Sequence, residues 1–161
     1  MREVTRPEVE DFLYHEVELL DTWQMMEWAE LYTEDCEYLI PPIQLPEADK
    51  NAALFIINDD HHRLLQRAKR LTRRTAHAEY PHSQVRHMVH NVRLTGRDET
   101  GVDVAYNLVV YRSKRQITDT YIGHVRQRLV FAEDGSFRIS SKRVMLDIDA
   151  LRPHGRVSII L

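Results

Sequence analysis

Four histidines, His77, His82, His87 and His90, fall in the stretch AHAEYPHSQVRHMVHNVRL at residues 76–94, beside Glu79. Imidazole nitrogens and a carboxylate are the raw material of a metal centre or an acid–base site. Such chemistry needs the side chains to converge. From Ser83 onward the stretch reads as a strand, in which side chains two apart share a face and odd separations fall on opposite faces. His87 and His90 are three apart, so they are expected to point to opposite sides. One face would carry Val85, His87, Val89, Asn91 and Arg93; the other would carry Arg86, Met88, His90, Val92 and Leu94. His77 and His82 lie before the strand, around Pro81, and no spaced pair completes a chelate. His61 and His62 are adjacent near the start of a helix, where neighbouring positions diverge. Packing and subunit contact are the expectation for these histidines.

Other chemistries fail on residue supply. The single cysteine, Cys36, rules out an intrachain disulfide and cannot by itself supply an iron–sulfur cluster or a zinc site built on Cys pairs. One free thiol fits a reducing cytoplasm. No Gly-rich phosphate loop and no GxSxG nucleophile elbow occur. A net charge of −3 is not the footprint of a nucleic-acid binder. The local exception is RLLQRAKRLTRR at residues 63–74, which reads first as a solvated helix face and second as a surface for a polyanion or acidic partner. No apolar run approaches the length of about 20 residues that a membrane span needs, so no membrane association is expected. The first residues, MREVTRPEVEDF, alternate charge and lack the apolar core of a signal peptide.

The elements that must position these residues are helices first and strands afterwards. Across 161 residues a single domain is expected. Thr5 can cap a first helix, with Pro7 and Glu8 in its first turn and Val9, Phe12, Leu13, Val17 and Leu20 on one stripe. LLDTWQ reads as a break, with Asp21 or Thr22 capping a second helix that carries Trp23, Met26, Trp28, Ala29 and Tyr32. DCEYLIPP reads as a short strand stopped by Pro41 and Pro42. Asn58, Asp59 or Asp60 can cap a third helix with Leu64, Leu65, Ala68 and Leu71 inward. Long strands follow. GVDVAYNLVVYRSK puts Val102, Val104, Tyr106, Leu108 and Val110 on one face. ITDTYIGHVRQRLVF sets Ile117, Tyr121, Val125, Leu129 and Phe131 against Thr118, Thr120, His124, Arg126 and Arg128. Asp134-Gly135 signals a hairpin before RISSKRVMLDID. The order predicts an α+β fold: a strongly curved antiparallel sheet with three N-terminal helices packed in its hollow.

Order and residues together resemble the β (small) subunits of Rieske-type aromatic-ring-hydroxylating dioxygenases. The marks are EVEDFLYHEVELLD, WAELYTEDCEYLIP, INDDHHRLLQRAKRL, the run Glu79, Pro81, Ser83, Arg86 and His87, then VVYRSK, YIGHVRQRL and DGSFRISSKRVMLDIDALRPHGRVSIIL. The resemblance implies a cone-shaped α+β barrel like nuclear transport factor 2. It implies that this chain is a non-catalytic subunit with no cofactor of its own. It also implies partners: a homotrimer joined to large α subunits as α3β3. The α subunit would hold the Rieske [2Fe–2S] cluster and the mononuclear iron, and NADH would supply electrons through a reductase. Enzymes of similar architecture act inside the cone, on a carboxylate or His whose pKa an apolar pocket has moved. Here Asp35, Glu37, Tyr38, His87 and Asp119 are the candidates, with Asp35 and His87 as one conceivable dyad. In the isomerases of this shape the base lies in the first strand, where this chain has Leu39-Ile40-Pro41-Pro42-Ile43 and no acid. A pure ligand-binding module is a third possibility. Arg86, Arg112, Arg126, Arg128 and Arg143 sit among apolar and hydroxyl residues, a mixture that suits protein interfaces. With His87, His90 and His124, the first four are the candidates for subunit contact.

Overall fold

The structure is a computed structural model that describes residues 1–73, 80–151 and 157–161. Three helices precede most of the strands: α1 (Arg6–Asp21), α2 (Met25–Ala29), β1 (Tyr32–Ile40), β2 (Ile57–Asp59), α3 (His61–Leu71), β3 (Gln84–Arg97), β4 (Gly101–Lys114), β5 (Ile117–Phe131) and β6 (Phe137–Leu146). The strands form one six-stranded sheet in the order β2-β1-β6-β5-β4-β3. Adjacent strands run antiparallel except β1 and β6, which are parallel. The expected antiparallel sheet is therefore mixed. A parallel pair needs a crossover, and β1 reaches β6 only through β2, α3 and three more strands.

Local chemistry sets the helix ends. Thr5 and Glu8 form a capping box: the Glu8 backbone N–H donates to Thr5 Oγ1 at 3.4 Å, and the Thr5 N–H donates to Glu8 Oε2 at 2.8 Å. Asp60 caps α3 by accepting from the Arg63 N–H at 2.9 Å. The break after α1 is where the sequence puts it, but its capping differs. Thr22 ends α1, its hydroxyl donating to the Glu18 carbonyl at 2.7 Å, and Gln24 precedes α2 without a side-chain cap. Asp21 is engaged elsewhere, with His87. α2 is only five residues long, so Tyr32 starts β1 instead of extending the helix.

α1, α2 and α3 bury their apolar stripes in the hollow of the sheet. Val9, Leu13 and Leu20 from α1, Trp28 from α2, and Leu64 and Ala68 from α3 share one core with Val102, Val104, Tyr106, Leu108, Val110, Val125 and Leu129. The alternation expected for β4 holds throughout those five residues, and that of β5 holds except at exposed Ile117. β3 departs from alternation. Register shifts between His90 and Arg93, where Asn91 takes φ 55. A bulge inserts one extra residue and flips the phase, and Asn tolerates the left-handed conformation. Val92 and Leu94 thus join Val85, His87 and Val89 on the inner face instead of opposing them. Gly135 takes φ +80 at the tip of the β5–β6 hairpin, a conformation that glycine adopts without strain.

Candidate functional site

Among the described residues, His82, His87, His90 and His124 do not converge on one site. His87 is inside the protomer, its side chain 1% exposed, and the expectation that it faces a subunit is corrected by that burial. Its Nδ1 lies 2.6 Å from Asp21 Oδ1 and its Nε2 lies 2.8 Å from the Ile160 carbonyl oxygen. A carbonyl only accepts, so Nε2 carries a proton. Asp21 also accepts the His87 backbone N–H, at 3.1 and 3.2 Å to its two oxygens. The result is a clasp between the end of α1, the start of β3 and the segment at Ile160. His90 sits on the opposite, exposed face of β3. His82 stacks on Trp23 with ring centroids 4.0 Å apart. His124 pairs with Asp147 at 2.7 Å. His77 and Glu79 lie outside the described residues. Among the described residues no three His, Cys, Asp or Glu side chains gather as a metal site would require.

The cone interior holds a closed polar cluster that the sequence reading missed. Glu16, on α1, is fully buried. Its Oε2 accepts from Lys142 Nζ at 2.9 Å and from Trp28 Nε1 at 3.1 Å, and its Oε1 accepts from Gln127 Nε2 at 3.1 Å. Gln127 Oε1 in turn accepts the Tyr106 hydroxyl at 2.8 Å. Both carboxylate oxygens are thus committed, and apolar side chains surround them. Burial, reinforced by the Glu16 charge, pushes the Tyr106 and Tyr32 phenols well above their usual range, so both stay protonated. The Glu16, Lys142, Gln127 and Tyr106 groups are tolerable in the interior because they are paired, whereas the buried Tyr32 hydroxyl has no hydrogen-bond partner among the described residues. A signal was present in the sequence. Glu16 falls in helical phase with Leu13, Val17 and Leu20, and Gln127 falls between Val125 and Leu129 on the inner face of β5.

The acid–base candidates are each occupied elsewhere. The Asp35 carboxylate accepts from Thr33 Oγ1 at 2.7 Å, so the conceived dyad with His87 does not form; His87 pairs with Asp21 instead. Glu37 pairs with Lys50, and Asp119 with Arg112 at 3.3 Å. The Tyr38 hydroxyl lies against the backbone of Leu161, donating to its carbonyl at 3.3 Å and accepting its N–H at 3.1 Å. Burial raises the Cys36 thiol to about 11, so it is not a nucleophile at neutral pH.

What remains is the outer face of the sheet. Cross-strand pairing places Met88 beside Val109 and Val109 beside Ile122, an apolar row spanning β3, β4 and β5. Met88 is 38% exposed, Ile122 47% and nearby Tyr111 46%. Arg86 and Thr120 flank Tyr111, while His90, Asn107 and His124 form the next row. Of the subunit-contact candidates, Arg86, His90, His124, Arg126 and Arg128 lie on this face, whereas His87 and Arg112 lie in the inward phase. Several arginines are used within the chain. Arg128 pairs with Asp98 at 2.6 Å and Asp103 at 3.3 Å, and Arg126 pairs with Glu47. Arg143 donates to the Pro46 and Ala48 carbonyls, each at 2.8 Å, and so pins the loop after β1 over one end of the face. Apolar side chains exposed in a row and rimmed by polar groups have the anatomy of an interface core.

Comparison with known proteins identifies relatives of this chain. A model of the ring hydroxylating beta subunit family matches residues 15–153. The small oxygenase component of the p-cumate 2,3-dioxygenase system of Pseudomonas putida is 52% identical, over 98% of this chain and 88% of that one. The beta subunit of benzoate 1,2-dioxygenase from Burkholderia mallei superposes with a TM-score of 0.78 at 24% identity, over 98% of this chain and 100% of that one. A naphthalene 1,2-dioxygenase structure with indole in its active site superposes with a TM-score of 0.84 at 18% identity, over 97% of this chain and 85% of that one. These two superpositions speak to the fold.

Proposed function

The chain belongs to the ring hydroxylating beta subunit family, and from that premise we propose that it is the assembly subunit of a multicomponent aromatic-ring dioxygenase. Three copies associate as a homotrimer and support three large α subunits in an α3β3 particle. The α subunit holds the Rieske [2Fe–2S] cluster and the mononuclear iron, which supply electron transfer and oxygen activation when bound, and NADH feeds them through a reductase. This chain contributes shape and stability, in the reducing cytoplasm that its lone buried thiol suits.

The single observation that carries the reading is the contrast between the two faces of the sheet. The inner face ends on a satisfied cluster around Glu16, with its carboxylate committed to three donors. The outer face presents Met88, Val109 and Ile122 in a row with Tyr111 beside them. An apolar row left in water is a standing cost that a partner's surface removes.

Sedimentation of the purified chain tests this, alone and co-expressed with the large oxygenase component. The expected species are a trimer alone and a larger stable complex together. Ile122→Asp puts a carboxylate in the middle of the row and is expected to leave a folded monomer with an unchanged circular dichroism spectrum. A wild-type monomer, or a trimer that survives Ile122→Asp, would rule the outer face out as the subunit contact.

A further inference from the structure

The basic run singled out in the sequence becomes a groove along α3, and the outer-face reading does not use it. A cleft of about 570 Å³ is lined by His62, Arg63, Gln66, Arg67, Arg70 and Arg73, with Asp59 at its edge. Between residues 61 and 73 the chain carries five Lys and Arg side chains and no carboxylate, although its net charge is −3. Asp59 satisfies only Arg67, through two bonds of 2.6 and 3.1 Å. Arg63 donates to the Asn58 carbonyl at 3.3 Å, while Arg70 and Arg73 form no side-chain bond or ion pair among the described residues.

Helix physics does not explain this placement. Like charges three and four residues apart repel, and Arg63, Arg67 and Arg70 have that spacing. The helix dipole favours cations in the last turn, which accounts for Arg70. It disfavours them in the first turn, where His62 and Arg63 sit. Solubility alone would be served by lysine, yet every cationic residue on the groove except His62 is arginine, whose planar fork matches a carboxylate with two bonds.

We propose that the α3 groove docks an acidic segment of the large oxygenase subunit, with Arg63, Arg70 and Arg73 as its carboxylate-binding residues. The inference rests on the assembly reading above and names a second contact surface for it, separate from the outer sheet face. Charge complementarity selects the class of occupant. A second copy of this chain, whose exposed acids include Glu27, Glu30, Glu34 and Asp35, is the competing occupant, and the oligomer mass of the variants below distinguishes the two.

The test uses the full chain and the large component, mixed and titrated at increasing salt. The triple variant Arg63→Glu/Arg70→Glu/Arg73→Glu leaves the Asp59–Arg67 pair intact, and Arg63→Gln/Arg70→Gln/Arg73→Gln provides a milder companion. The wild type is expected to bind more weakly as salt rises. The Glu variant should bind at least about tenfold more weakly at low salt and lose most of the salt dependence, with the Gln variant between. Trimer mass and circular dichroism should not change in either. Wild-type affinity and salt slope in the Glu variant would overturn the proposal. So would a loss of the trimer, which would assign the groove to a second copy. If the wild-type chain and the large component do not associate at all, the assembly reading fails and this proposal falls with it. Loss of salt dependence with the Ile122→Asp phenotype intact separates the two.

Discussion

Lys142→Met is the sharpest probe of how the cone interior is held. Lys142 and Glu16 are 1% and 0% exposed and lie 2.9 Å apart. Methionine approximates the aliphatic length of lysine and removes the ammonium. Glu16 then keeps only the Trp28 and Gln127 donors, both at 3.1 Å, for a charge that no solvent reaches. Breaking a buried pair from one side costs about 3–5 kcal/mol, because the remaining charge is uncompensated. For a chain of this size that lowers the melting temperature by about 6–20 °C. Adding Glu16→Gln removes the orphaned charge. The new amide can still accept from Trp28 Nε1, but its own N–H groups face the Gln127 amide, which Tyr106 holds in place. One unsatisfied buried donor costs about 1–3 kcal/mol. The double variant should therefore be more stable than Lys142→Met alone. Thermal and urea denaturation followed by circular dichroism, at one fixed protein concentration because the stability of any oligomer depends on it, gives both numbers. A single variant within about 1 kcal/mol of wild type, or a double variant less stable than the single, would refute the claim that charge pairing holds this cluster.

His87→Ala removes the clasp to Asp21 and to the Ile160 carbonyl; a loss of about 1.5–3 kcal/mol per charged hydrogen bond is expected, with faster amide exchange at residues 157–161, and unchanged exchange there would contradict the clasp. Cys36 should resist a thiol reagent at pH 8, since a thiol raised to about 11 is only about a thousandth ionised there, against about a quarter for an ordinary thiol; rapid labelling of the folded protein would show the site to be open. Acid should destabilise the fold. The Thr100 hydroxyl and N–H lower Asp98, the Arg63 N–H lowers Asp60, the Ser136 hydroxyl lowers Asp134 and the Thr5 N–H lowers Glu8. Carboxyls lowered in the folded state contribute stability that is complete above the ordinary range near about pH 4 and is lost as pH falls through their folded values. Melting temperature recorded from pH 7 to pH 2 should fall below about pH 4, and a flat or rising profile would be the wrong sign.

Much of this protein was determined by the sequence alone, where short-range rules apply. Thr5 with Glu8 marks a helix start because the two groups bond each other within one turn. Alternation over Val102–Val110 marks an inner strand face because strand geometry has a period of two. The run of marks from Glu8 to Leu161 identifies the family. Tertiary structure decided everything that depends on long separations. Nothing local says that Glu16 will meet Lys142, 126 positions away, or that His87 will choose Asp21 over Asp35. The bulge at Asn91 reversed β3 over Val92 to Leu94, up to a second register shift before Gly96, because a single extra residue flips the side chains that follow it and leaves no mark in composition. The four histidines of the stretch at 76–94 illustrate the division. The spacing of His87 and His90 sends them to opposite faces, and that followed from strand geometry. Only the packed structure assigned one of them to a buried clasp and another to the open face of the sheet, because burial is a property of what the rest of the chain brings alongside.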